Sequence, residues 1–437
     1  MGNSYTKKII YYLPTLPRKR FCTFSGTNKF SEWLETLKLL FSFYRSKSSE
    51  SISEYEKLFA NKIGSKYAFS FGAGRMALYA ILDALEVGEN DEIILPAFTC
   101  VVVVNAILYR KAKPIFIDIN LNDFNILTSE IESKITSRTK AIYAQHTFGK
   151  ICNLKEINQI SKKYSIPVIE DAAHALGSSI GDNKAGTLSD IAFFSTDHSK
   201  TINTYLGGMV TTNNKNLAKK IELISMKTKT LSSASRLHLG LSFVIEYLYF
   251  LPKTLWIGRS LHALISKLHL NFNFRDELLI KKPRKYPYPC KITDIQAKIG
   301  VSQLRGLEKN VKHRQNLALI LENNIGWYKL DELEFSNYSW LRYSFLVKDR
   351  EKFEKKFFKH FDLGVWFNTI FQGRKNNFMD LGYIENSCPN AEFAAKHIVN
   401  FPTHERVNIE FMNKIIIENL DWIKSELIIL SKDEINF

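Results

Sequence analysis

The chain has 437 residues, 45% of them hydrophobic, and a formal charge of +16. That length and apolar content exclude a disordered protein and give room for two domains rather than one. Five scattered cysteines, Cys22, Cys100, Cys152, Cys290 and Cys388, show no paired spacing, which argues against a zinc site or a disulfide framework.

Residues 1–50 read as an N-terminal extension. It opens on Met1-Gly-Asn-Ser-Tyr-Thr6, a loose match to a myristoylation pattern that we read as chance, and continues to a helix over 30–41 with one apolar face. From 51 to 230 short apolar runs alternate with helical spacing, the rhythm of a mainly parallel sheet covered by helices on both faces. The expected strands lie at 67–70, 92–95, 114–118, 140–144, 168–170, 191–194 and 208–211.

Residues 231–285 form a hydrophobic helical insertion. Its densest part, 237–270, is broken by Glu246, Pro252, Lys253 and Arg259, so the spacing predicts two helices joined at a proline rather than a membrane span. Leucine and aromatic faces beside lysines and arginines suit an anionic membrane surface, while packing against the protein body or a partner subunit is the plainer expectation. Residues 286–437 are expected to make a smaller C-terminal α+β domain.

Three clusters in the α/β region carry chemistry. Gly72-Ala-Gly74-Arg75-Met76 stands between a strand and a helix, where backbone amides and the positive end of the helix dipole can hold a phosphate. Asp171 follows a strand in Val168-Ile-Glu-Asp171 and would emerge at the carboxyl edge of the sheet, with small Ala172 and Ala173 allowing a flat ring to lie close. Its bland reading is a helix N-cap. Lys200 closes Ser195-Thr-Asp-His-Ser-Lys200, next to a strand and ahead of Gly207-Gly208. An amine that can bind a carbonyl cofactor and an acid that can hold a pyridine nitrogen protonated are the two indispensable parts of a pyridoxal phosphate site.

The clusters Asp171-Ala-Ala-His174, Phe194-Ser195 to Lys200 and Gly207-Gly-Met-Val-Thr211 resemble the DegT/DnrJ/StrS family of sugar aminotransferases. So do Pro96-Ala-Phe-Thr99, His146-Thr-Phe-Gly149, Asp294-Ile-Gln296 and Phe401-Pro-Thr-His404, in family order over roughly 55–425. The resemblance implies an α/β, fold type I, aspartate-aminotransferase-like enzyme. A homodimer with sites at the subunit interface is implied with it.

On that resemblance Lys200 would carry pyridoxal 5′-phosphate, and Asp171 would pair with the pyridine nitrogen. His174 would lie near the phenolic oxygen, Ala173 and Cys100 on the two ring faces, and Ser195 with Gly74, Arg75 and Met76 at the phosphate. It also implies transfer of an amino group, from glutamate, to a nucleotide-linked keto-sugar for surface polysaccharide or lipopolysaccharide. A cytoplasmic enzyme is expected, with room for peripheral contact at the inner membrane surface through 237–270. Nucleic acid is not expected as a partner, because the basic residues are spread along the chain.

The chain departs from the family at three places. Tyr205-Leu206-Gly207-Gly208 replaces a Gly-Glu-Gly-Gly segment, Pro289-Cys290-Lys291 replaces Asn-Tyr-Arg, and Arg75 replaces a small residue or threonine, its guanidinium expected to reach phosphate or face solvent. A dehydratase-like sugar enzyme and a non-catalytic relative with a regulatory or membrane-associated role are the alternative readings; retention of both Lys200 and Asp171 weighs against them.

Overall fold

The computed structural model describes residues 19–41, 48–330, 332–363 and 366–430, so the N-terminal myristoylation match lies outside the described residues. All seven expected strands form and join one sheet. They are β1 (Tyr67–Phe71), β2 (Glu92–Pro96), β3 (Lys113–Ile117), β4 (Thr139–Gln145), β5 (Val168–Asp171), β6 (Ile191–Ser195) and β7 (Gly208–Thr212). Their spatial order is β1-β7-β6-β5-β4-β2-β3. Only β7 runs antiparallel to its neighbours in this sheet.

Helices on both faces explain why the strands read as unbroken apolar runs: Ile93, Ile94 and Leu95 are all fully buried. On one face α3 (Gly74–Ala84) and α4 (Val101–Tyr109) pack over Ile93 and Leu95. On the other, Tyr55 and Phe59 of α2 (Ser48–Ile63) and Ile157 and Ile160 of α5 (Leu154–Tyr164) cover Ile94, Ile142 and Val168. Since β4, β5 and β6 are parallel, Gln145, Asp171 and Ser195 all emerge at one sheet edge.

After α6 (Lys215–Lys227), the insertion forms the two expected helices, α7 (Ser233–Tyr249) and α8 (Leu255–Lys267), with Pro252 between them. Leu239, Phe243 and Val244 of α7 are buried, and Val244 O accepts a 3.0 Å bond from the Trp33 indole of α1 (Phe30–Phe41). Extension and insertion therefore pack together. No helix among the described residues is long and apolar enough to cross a membrane.

The expected C-terminal unit from 286 differs from the way the buried side chains sort. Helix α9 (Asp294–Arg305) buries Ala297, Val301 and Leu304 in the core of the large sheet. The following α10 (Leu307–Ile325) has Leu307 and Val311 in that same core, and Leu317 and Leu321 in a separate C-terminal one. A 19-residue helix spans about 28 Å, long enough to serve both, and apolar spacing does not reveal which core a turn enters. The C-terminal core is built on the antiparallel pair β8 (Arg342–Leu346) and β9 (Ile398–Pro402), with Phe353 and Phe357 of α11 (Arg350–Phe357). Phe21–Cys22 pairs in parallel with Phe361–Asp362, tying the extension to this unit.

Gly300 of α9 faces the ring of Tyr55, and a Cβ there would stand 2.3 Å from Tyr55 Cε2. Alanine gains about 1 kcal/mol over glycine in an open helix, but overpacking a close contact costs about 1–3 kcal/mol. Gly300→Ala is therefore expected to destabilise the protein, seen as a lower urea midpoint in a denaturation curve.

Candidate active site

One cleft at the carboxyl edge of the sheet is lined by Gly74, Arg75, Thr99, Cys100, Gln145, Asp171, Ala173, His174, Ser195, Asp197, Lys200, Gly207 and Trp366, among others. It gathers residues from four loops that follow parallel strands, as open α/β sheets do. Of the residues expected from sequence, only Met76 is not brought to it. Met76 is fully buried in the core, where its sulfur accepts from the Cys290 amide at 3.3 Å, and its own amide donates to Ala73 O at 3.0 Å. Its position on the inner side of the first helical turn, not its distance along the chain, removes it from the cleft.

Asp171 is 6% exposed. Its Oδ1 accepts from the Ala173 amide at 2.9 Å, the local bond that an N-capping role would make, though the chain continues as turns rather than a helix. Its Oδ2 accepts from the Tyr143 hydroxyl. Burial holds the Asp171 carboxyl above its usual range, while those two bonds and the charges of Lys200 and His146 oppose the rise. Lys200 is 7% exposed, and its Nζ is 4.9 Å from the ring centroid of Trp366. Burial lowers its amine pKa, and the nearby Asp197, Cys100 and Asp171 restrain the fall.

His174 is tied by its ring. The Phe148 amide donates to Nδ1 at 3.2 Å, which leaves the proton on Nε2, and burial holds the imidazole neutral. A neutral histidine in this tautomer is a hydrogen-bond donor from Nε2. Asp197 was not anticipated from sequence. Burial alone would raise its carboxyl, but the charge and the 2.8 Å contact of His198, with Arg75 and Lys200 beyond, bring it down to about 2.

Helix α3 begins at Gly74 with no side-chain cap on its first amides. A Cβ on Gly74 would stand 2.7 Å from the Ser195 Cβ, so the absence of a side chain lets the helix N-terminus and the Ser195 hydroxyl share one end of the cleft. Uncapped amides, a hydroxyl and the positive helix end make a cradle for a phosphate. Arg75 does neither of the two things expected of it. Its guanidinium is buried and turned away into an ion pair with Asp276, with Glu277 at 3.5 Å. A carboxylate from the insertion has taken it, which no local pattern could disclose.

The other departures are also anchored. Tyr205 adopts φ 74°, a conformation favouring glycine; burial of its ring and a 2.9 Å bond from its hydroxyl to Phe272 O hold it there. Pro289-Cys290-Lys291 runs beneath the glycine loop, with Cys290 O accepting from the Gly72 amide at 2.9 Å. Sequence reasoning missed Tyr143 and Gln145, which alternate onto the cleft side of β4, Gln145 in register with Asp171. Their two-residue spacing beside the Asp171 strand was the available signal. Trp366 had none, because it arrives from the C-terminal unit.

The donor set fits pyridoxal 5′-phosphate. Lys200 offers the amine, Asp171 the carboxylate for the ring nitrogen, His174 the donor for the phenolic oxygen, Ala173 and Cys100 the flanks, and Gly74, Arg75 amides and Ser195 the phosphate end.

The DegT/DnrJ/EryC1/StrS aminotransferase family matches residues 37–244 and 273–419, leaving the middle of the insertion unmatched. An uncharacterised protein of Methanocaldococcus jannaschii is 31% identical over 421 residues, 92% of this chain and 98% of that protein. The GDP-perosamine synthase of Caulobacter vibrioides is 31% identical over 64% of this chain and 61% of its own length. A solved aminotransferase from Psychrobacter cryohalolentis superposes with TM-score 0.67 at 20% identity, covering 91% of this chain and 99% of that one, a likeness of fold.

A carboxyl whose pKa is raised by folding binds its proton more tightly in the folded state, so its charged form lowers stability as pH climbs above the unfolded value of about 4. Asp171→Asn in cofactor-free protein is therefore expected to raise Tm at neutral pH, with the gain disappearing as pH falls towards about 4. Thermal unfolding across pH checks it.

Proposed function

Since the chain belongs to the DegT/DnrJ/EryC1/StrS aminotransferase family, and is a pyridoxal-phosphate-dependent aminotransferase, we propose that it moves an amino group from glutamate to a nucleotide-linked keto-sugar in surface polysaccharide or lipopolysaccharide synthesis. The observation that carries this reading is that Lys200, Asp171 and the uncapped start of α3 line one cleft.

When bound, the cofactor supplies an electron sink that lets an amino group leave one carbon and enter another. The chain supplies the rest. Asp171, ionised opposite the ring nitrogen, holds a proton at that atom. His174 Nε2 donates to the phenolic oxygen. The amides of Gly74 and Arg75 and the Ser195 hydroxyl bind the phosphate and fix the ring. Lys200 Nζ, its pKa lowered by burial, is the group placed to take a proton from the substrate carbon and return it on the other side of the reaction. Tyr143, donating to Asp171 Oδ2, orients that carboxylate.

Lys200→Ala is expected to abolish transamination while the protein still folds, since a cavity replaces a costly buried amine. An absorbance spectrum of purified protein tests the reading: a cofactor band that changes on adding glutamate in wild type and is absent in the variant supports it. A protein that binds no chromophore even when supplied with the cofactor overturns it.

A homodimer in the cytoplasm, with peripheral contact at the inner membrane surface, completes the proposal. The observation favouring the contact is the row of apolar side chains at 39–52% exposure on each helix of the insertion, Leu237, Leu241, Ile245 and Leu248 on α7 and Ile257, Leu261 and Leu264 on α8. The protein is expected to sediment with anionic vesicles, and Leu241→Asp with Leu264→Asp to stay in the supernatant while eluting at the wild-type size.

A further inference from the structure

Lys200 shares its turn with an acid that the mechanism leaves idle. The Lys200 amide donates to Asp197 O at 2.9 Å, and both side chains line the cleft. A carboxylate so close favours the charged amine. After burial, which lowers the Lys200 pKa, Asp197 is the foremost of the groups that hold it up, with Cys100 and Asp171 behind it and Arg342 opposed. Proton abstraction needs the opposite, an amine without its proton.

His198 is placed to cancel that carboxylate. Its Nδ1 lies 2.8 Å from Asp197 Oδ1, and its backbone amide donates to the same oxygen at 2.7 Å. The ring is held against the Phe24 ring of the extension, centroids 3.9 Å apart, with the Tyr205 ring 6.3 Å away. Phe24 in turn meets Phe250 and His262 of the insertion, at 5.2 and 5.9 Å.

Glu246 belongs to the same enclosure. Ser242 and Glu246 stand four residues apart on α7, therefore on one face, and both are buried. Ser242 Oγ accepts from the Phe272 amide at 2.8 Å and Phe272 O accepts from the Tyr205 hydroxyl, so this face meets the loop that follows Lys200. Burial lifts the Glu246 carboxyl to about 7, with Asp197 adding to the rise and His198 and Arg406 opposing it. Burial by itself would lower the His198 imidazole, but the charges of Asp197 and Glu246 outweigh it and the ring is raised. Of the other titratable groups around that ring, Lys200 works against its charge, the Tyr205 hydroxyl is kept neutral by burial, and burial lowers His262 to about 4. Arg259 is paired with Asp362 at 2.6 Å, and Arg406 donates to Phe250 O and Asn28 O. Charges of alternating sign thus lead from Glu246 through His198 and Asp197 to Lys200. Phe24, Glu246 and His262 all lie outside the stretches that the family matches, so the arrangement belongs to what this chain adds.

We propose that Glu246 and His198 are positioning residues for the reaction: the carboxylate of the insertion keeps the His198 imidazole charged, the imidazole neutralises Asp197, and Lys200 is spared the counter-charge that would hold it as an ammonium. The proposal rests on the aminotransferase reading for the use made of the Lys200 amine. Its physical basis is that a paired Asp197 and His198 present Lys200 with a dipole in place of a full charge.

In the cofactor-loaded protein, His198→Asn is expected to raise the pH midpoint of the absorbance band at Lys200 by about half a unit or more, since asparagine offers Asp197 a hydrogen bond without a charge. Glu246→Gln gives the telling sign. Removing a carboxylate ordinarily lets a neighbouring lysine lose its proton more readily, but here the midpoint is expected to rise, by about a quarter of a unit or more, because the histidine charge goes with it. In the double variant Glu246→Gln adds nothing to His198→Asn. Competitive acetylation of Lys200 in cofactor-free protein, followed by mass spectrometry across pH, is expected to rank the variants in the same order.

A midpoint unmoved in His198→Asn, unmoved or lowered in Glu246→Gln, or shifted additively in the double variant overturns the proposal. Should His198→Asn fail to fold, Glu246→Gln, which keeps the shape of its side chain, decides by sign alone. Wild-type protein that binds no cofactor defeats the aminotransferase reading and leaves the acetylation series to decide this one.

Discussion

Opposite charges enclosed in one cleft govern this structure. Asp171 is held above the ordinary carboxylate range by burial and Lys200 below the ordinary amine range by the same cause, and each restrains the shift of the other. At such low exposure each charge costs less beside the other than it would alone. Three parallel strands, β4, β5 and β6, make the arrangement possible by delivering Tyr143 and Gln145, Asp171, and Ser195 to a common edge. The polar ends are then satisfied in layers: Tyr143 on Asp171, Phe148 N–H on His174, His198 on Asp197.

The insertion accounts for two of the three departures from the family pattern. Arg75 is paired with Asp276, Asn105 donates to Asp276 O at 2.8 Å, and the Tyr205 hydroxyl donates to Phe272 O. These bonds clamp 272–277 over the loops at the phosphate end. A side chain that looks misplaced when set against the family pattern is in its proper place once its partner in 272–277 is present. Cys290 differs, since it supports the glycine loop from below through Gly72, where a Cβ would meet its sulfur at 2.3 Å.

Much of this was legible before any coordinates. The seven strands, their helices and the proline-linked pair α7 and α8 follow from periodicity, because burial on both sides of a sheet and on one side of a helix each leave their own spacing in the chain. Lys200, Asp171, Ser195 and Gly74 each stand close enough to a strand end for local pattern to place them at the sheet edge, while the part expected of His174 came only with the family resemblance. Met76 was misplaced by the same logic, since one helical turn can aim adjacent residues at opposite environments. The sequence groups α9 with the unit from 286, while its buried side chains join the core of the large sheet, because a helix's apolar face does not name the surface it meets.

The amino-acid order by itself determined the sheet and the strand ends at which Asp171, Ser195, Lys200 and Gly74 stand, all of which depend on short-range spacing and on backbone geometry that repeats. Only the folded chain decided what Arg75 pairs with, that Tyr143 braces Asp171, and that Arg342 and Trp366 are carried to Lys200 from a separate core. Those contacts join segments of 28 to 201 residues apart in the chain. They are selected by which buried charge or donor finds a partner when the units close together, a condition on the whole molecule that no window of sequence contains.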